Sequence, residues 1–138
     1  MCQEIYHMMR TMNQDGLEFQ LALQCAPLIT GIKISNLLMV CGKREDAVQE
    51  LLEGSDISCF CVMSSPKKTA FLLYRKAELE QRLSECKVRA LFRKLGYKDF
   101  SLEYVLTRFR KRYEAHMNGE QQSPHEMGLL LGYPIEDV

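Results

Sequence analysis

The stretch ISCFCVMSSPKKTAFLLY, from Ile57 to Tyr74, is the part of the chain whose reading decides the fold. Its flanks, Ile57 to Met63 and Thr69 to Tyr74, are short apolar runs with β-branched and aromatic residues, so each reads as a strand. Between them, Ser64-Ser65-Pro66-Lys67 is turn chemistry: proline presets a turn dihedral and serine bonds nearby backbone. The two strands are therefore expected to form a hairpin. Upstream, Asn36 to Cys41 (NLLMVC) reads as a further buried strand. Lys43 to Glu53 reads as a helix, with Ala47, Val48, Leu51 and Leu52 on one face and Gly54 as its stop. A strand, a helix and a strand in succession favour a right-handed crossover. The expectation is an α+β fold, with a small mixed sheet of about three strands packed against several helices.

Beyond the hairpin the period changes from strand to helix. Leu79 and Leu83 form one apolar stripe; Val88, Leu91, Phe92 and Leu95 form the next, stopped by Gly96. Ser101 is placed to cap a long helix buried through Leu102, Val105, Leu106, Phe109 and Tyr113. Near the end, Ser123-Pro124-His125-Glu126 supplies a capping serine, a first-position proline and a capping-box glutamate. Met127, Leu129, Leu130 and Leu131 then make a short apolar helix, which Gly132 ends and Pro134 prevents from continuing.

The N-terminal side is less regular. Ile5, Met8, Met9 and Met12 recur at helical spacing before Asn13-Gln14-Asp15-Gly16 breaks the run. Leu17, Phe19, Leu21, Leu23 and Cys25 alternate as a strand would, yet helix formers dominate and Asp15 with Glu18 reads as a helix start. Helix is the reading adopted, with Pro27 opening a new short turn that Gly31 ends. The expected organisation is one domain over residues 1–138, with residues 1–16 as an N-terminal helix and turn.

Composition narrows the function classes. Eighteen lysines and arginines balance 18 aspartates and glutamates, which argues against a whole-surface partner such as duplex DNA. The longest mostly apolar stretch, Ile29 to Cys41, is too short and interrupted to cross a bilayer. The opening residues, MCQEIYHMMR, do not resemble an export signal, and a cytoplasmic location is expected. The six cysteines are then expected to be reduced, acting as small core hydrophobes; none form a C-x-x-C pair.

Three segments carry a family resemblance. They are Cys25-Ala26-Pro27 running to Gly31-Ile32-Lys33 and Asn36-Leu37; Tyr74-Arg75 before a helix; and Pro124-His125-Glu126-Met127-Gly128 through Leu131-Gly132-Tyr133-Pro134-Ile135-Glu136-Asp137-Val138. The chain from about Leu17 onward resembles a bacterial family catalogued as domain of unknown function 3793. The family has no established activity, so the resemblance supplies no mechanism and leaves any cofactor unknown. It does imply that relatives continue past Glu136-Asp137-Val138 with a glycine- and aromatic-rich segment, so that this chain is a short version or a fragment.

Four groups of residues could carry chemistry. Cys25, before a proline turn, and His125, in the first turn of a helix, are candidates for a nucleophile and its base, or for two metal ligands. Helix-terminal fields favour thiolate and neutral imidazole, the forms that either role needs. Core packing for Cys25 and capping for the residues around His125 are the bland alternatives. Cys59 and Cys61 are two apart on a strand and share a face, where packing is preferred over soft-metal ligation. Arg108, Arg110, Lys111 and Arg112 could bind phosphate, RNA or an acidic partner, but are read as a solvated helix face. Arg75, at the end of a strand, could hold a ligand carboxylate or phosphate, or pair with Glu78 or with Glu136-Asp137. The leading expectation is a cytoplasmic accessory protein that binds a small molecule or a protein partner without catalysis. A cysteine-dependent enzyme using Cys25 and His125 is the alternative, and metal or haem handling by the same pair is a third. Neither membrane association nor specific nucleic-acid binding is expected.

Overall fold

The computed structural model describes residues 16–42, 45–120 and 124–137. The helix expected over residues 3–12 and the capping Ser123 lie outside them. The described chain is an α+β fold. Helix α1 (Leu17–Ile29) leads to strand β1 (Ser35–Cys41), helix α2 (Glu45–Leu52), and the hairpin of β2 (Ile57–Ser64) and β3 (Lys68–Arg75). Then come α3 (Lys76–Ser84), α4 (Cys86–Lys94), α5 (Leu102–Met117), α6 (Glu126–Leu130) and a 3₁₀ turn over Ile135–Asp137.

The strand order is β1-β3-β2, and both pairings are antiparallel. The outer strands β1 and β2 therefore run parallel without touching as a pair. The crossover through α2 leaves room for one strand, and the hairpin folds β3 into it. Composition selects β3 for that place: Thr69 to Tyr74 are all buried, as a strand covered on both faces requires.

Alternate residues of the sheet feed two cores. On one face Leu38, Val40, Phe71 and Leu73 pack with Leu17, Cys25 and Leu28 of α1 and Val48 and Leu52 of α2. On the other, Val62, Ala70, Leu72 and Tyr74 pack beneath residues of α3 to α6, among them Leu79, Leu83, Val88, Phe92, Val105, Leu106, Phe109, Leu129 and Leu130. The helical reading of residues 17–25 is correct despite the alternation. Leu17, Cys25 and Leu28 are buried at helical spacing, while Leu23 is 48% exposed. The helix kinks at Cys25 (φ −115°, ψ 21°), two residues before Pro27, whose ring crowds the preceding turn. Ser101 caps α5 as expected, its hydroxyl accepting from the Tyr104 N–H at 3.4 Å. At the end of α6, Gly132 takes φ +81°, and the Gly132 and Tyr133 amides donate to the Leu129 and Gly128 carbonyls.

Candidate functional site

The kink in α1 turns Cys25 inward, against the sheet. Its side chain has no exposure, and its sulfur reaches only the Leu37 carbonyl, at 3.9 Å. Burial pushes the thiol up to about 12, so it is protonated at neutral pH, the reverse of what a helix-terminal field alone would produce. His125 is exposed and precedes α6, whose Leu129 and Leu130 pack into the opposite core. The sheet thus stands between the element carrying Cys25 and the element carrying His125, and the structure does not bring the two together. Cys59 and Cys61 do share a face, beside the core that holds Cys25, and burial raises both thiols. Among the described residues no group of three or more His, Cys, Asp or Glu side chains is placed to hold a metal ion. No described helix is long and apolar enough to cross a membrane.

Arg75 is held by the fold. One end of its guanidinium pairs with Asp56; the other donates to the Leu28 and Ile29 carbonyls at 2.9 and 3.4 Å. These carbonyls end α1, where the helix dipole is negative; that of Leu28 also accepts from the Gly31 amide at 3.0 Å. The partner is therefore Asp56, not Glu78 or the Glu136-Asp137 pair, because the β2–β3 ladder sets Arg75 opposite Ile57. Arg82 does the same for α6, bonding the Leu129 and Tyr133 carbonyls, and Arg89 for α3, bonding Leu83 O at 2.9 Å.

The basic run of α5 departs from the solvated reading. Only Lys111 is exposed; Arg108, Arg110 and Arg112 are half-buried. Arg112 forms an ion pair with Glu126, whose carboxylate is fully buried and also accepts from the Tyr97 hydroxyl at 2.6 Å. Arg110 lies over the Phe60 ring, 5.4 Å from its centre. Arg108 lies over the Tyr97 ring at 5.4 Å. Gly96 leaves space for it, since a Cβ there would sit 3.0 Å from Nη2 of Arg108. The physical reason for the departure is length: an arginine stem can cover apolar surface while its head finds a partner above it.

Arg108 differs from Arg112 in forming no ion pair. Among the described residues no carboxylate pairs with it, and its buried Nε has no hydrogen-bond partner. It lines an open groove of about 460 Å³ along α5, together with Ser101, Glu103, Tyr104, Thr107 and Lys111. The Tyr104 hydroxyl accepts from the Lys98 amide at 3.1 Å, which fixes one wall. The groove therefore offers a guanidinium, an ammonium and hydroxyls to whatever enters it, with Glu103 as the opposing charge.

The sequence model of the family described as "Protein of unknown function (DUF3793)" matches residues 21–138. The chain belongs to this family. No curated protein and no solved structure matches it. Of the residues now at issue, the matched span of the DUF3793 family takes in Cys25, Arg75, Arg108 and His125. Sequence reasoning missed Tyr97, Glu126 and Tyr104 as polar partners. A signal existed for Glu126, an acid inside an otherwise apolar terminal helix, but capping explained it equally well.

Proposed function

We propose that this DUF3793 chain is a binding protein without catalysis, and that its ligand presents a phosphate or carboxylate to the groove along α5. The observation that carries this reading is Arg108: a half-buried guanidinium, stacked on Tyr97, with a buried donor left unpartnered and no neutralising carboxylate. A planar guanidinium suits bidentate recognition of such anions. Lys111, Thr107 and Tyr104 line the same groove and add charge and hydroxyls. The bacterial, cytoplasmic setting expected from the resemblance and the cysteine usage belongs to the same proposal. A cysteine-dependent enzyme built on Cys25 and His125 has less support, since it needs a thiolate where burial favours the thiol and a base from across the sheet.

The test is a titration of isotopically labelled protein with inorganic phosphate, followed through backbone amide shifts. Saturable shifts confined to the segment around Ser101 to Lys111, with at least tenfold weaker binding in Arg108→Gln, are expected. Absence of saturation, or binding untouched by Arg108→Gln, would overturn the proposal.

A further inference from the structure

Strands β2 and β3 border a second groove, on the other side of α5 from Arg108. The ladder sets Ser58 opposite Tyr74, and Phe60 follows two positions along β2 on the same face. Leu102 and Leu106, one turn apart on α5, form the facing wall of an open groove of about 390 Å³. Tyr74 is only 9% exposed, yet its hydroxyl has no hydrogen-bond partner among the described residues. Burial, with Cys59 and Glu80 nearby, raises the phenol above its ordinary range, so the hydroxyl keeps its proton and can donate it. Lys76 and Glu103 stand at the rim, both exposed, and neither forms an ion pair among the described residues. Two further charges lie near, again one of each sign: Arg110 over the Phe60 ring, and Glu80 one turn along α3 from Lys76.

We propose that this groove binds a free α-amino acid with an apolar side chain. A rim of balanced charge suits neither a bare anion nor a bare cation. A zwitterion satisfies both signs, its carboxylate meeting Lys76 and its ammonium meeting Glu103. The Tyr74 hydroxyl supplies a donor that a carboxylate accepts, and Ser58 supplies a second hydroxyl. Phe60, Leu102 and Leu106 give the ligand's side chain an apolar wall, the usual companion of a few convergent polar groups in a small-molecule site. The site goes beyond the anion groove: Glu103 lines both, but Arg108 and Lys111 belong to the other alone.

Amide-shift titrations of the labelled full chain with L-leucine, N-acetylleucine and leucinamide test the proposal. L-leucine should give saturable shifts in residues 58–60, 74–76 and 102–106. The two derivatives, each lacking one charge, should bind about tenfold more weakly. Tyr74→Phe removes only the hydroxyl, and should weaken L-leucine binding about tenfold while native circular dichroism is retained. No saturation by L-leucine, equal affinity for either derivative, or binding untouched by Tyr74→Phe would overturn the proposal. So would shifts confined to residues 107–111, which report the anion groove instead.

Discussion

The ion pair between Arg112 and Glu126 makes an asymmetric prediction, because its partners are unequally covered. The Glu126 side chain has no exposure; Arg112 retains 27%. In Arg112→Met, a wholly buried carboxylate keeps only the Tyr97 hydroxyl as a described partner. Stranding a buried charge costs about 3–5 kcal/mol. In Glu126→Gln, the amide oxygen still accepts from Tyr97, and the Arg112 head can turn toward water, so the loss is about 1–2 kcal/mol. The double variant should cost less than the sum of the two, since removing the carboxylate's charge also removes the reason that losing Arg112 is expensive. Urea unfolding at pH 7, with midpoint and slope compared across wild type, both single variants and the double variant, measures each quantity. Equal losses from the two single variants, or simple additivity in the double, would refute the account of Glu126 as a buried charge held by Arg112.

Three further outcomes follow from other sites. Under native conditions at pH 8, exposed Cys41 and Cys86 should alkylate first and Cys25 only on unfolding. Because the folded Cys25 thiol is raised to about 12 from 9.0, the unfolded chain releases its proton first as pH rises. Stability should therefore fall between those values by about 1.4 kcal/mol per pH unit from this group, a contribution lost in Cys25→Ala and measured as the difference between the two proteins' slopes on unfolding at successive pH values. Gly132→Ala forces a side chain into φ +81° and sets its Cβ 3.1 Å from Cγ1 of Ile34. A loss of about 1–2 kcal/mol in chemical unfolding is expected, and a neutral result would show that the turn after α6 yields freely.

Local pattern made the elements legible. The apolar stripe of α5, the serine at its start, the hairpin of β2 and β3 and the glycine after α6 each depend on residues a few positions apart, where periodicity and capping rules operate. The order of the strands was not legible in the same way. A crossover and a hairpin are both present, but nothing local says that β3 enters between β1 and β2; only its burial on both faces does. Polar partnerships were harder still. Arg75 with Asp56, and Arg112 with Glu126, join separate elements, and a helical wheel places Arg112 on a solvent side without revealing that a carboxylate is folded over it. The Cys25 thiol shows the same gap: sequence supplies the helix start, but the sign of its ionisation shift depends on burial.

The arginines of this chain sort themselves by what the fold gives them. Arg75, Arg82 and Arg89 close the carbonyl ends of α1, α6 and α3, sites created whenever a helix stops against a core. Arg112 neutralises the one fully buried carboxylate described, and Arg110 covers Phe60. Each would leave a carbonyl, a carboxylate or an apolar ring exposed to a worse environment if removed. Arg108 is different. Tyr97 and Gly96 position it, but among the described residues nothing accepts from its Nε and no carboxylate balances its charge. On the proposed reading an incoming anion completes it, and the Arg108→Gln titration separates that role from architecture: affinity for the anion should fall at least tenfold, while the stability loss stays within what uncovering Tyr97 accounts for.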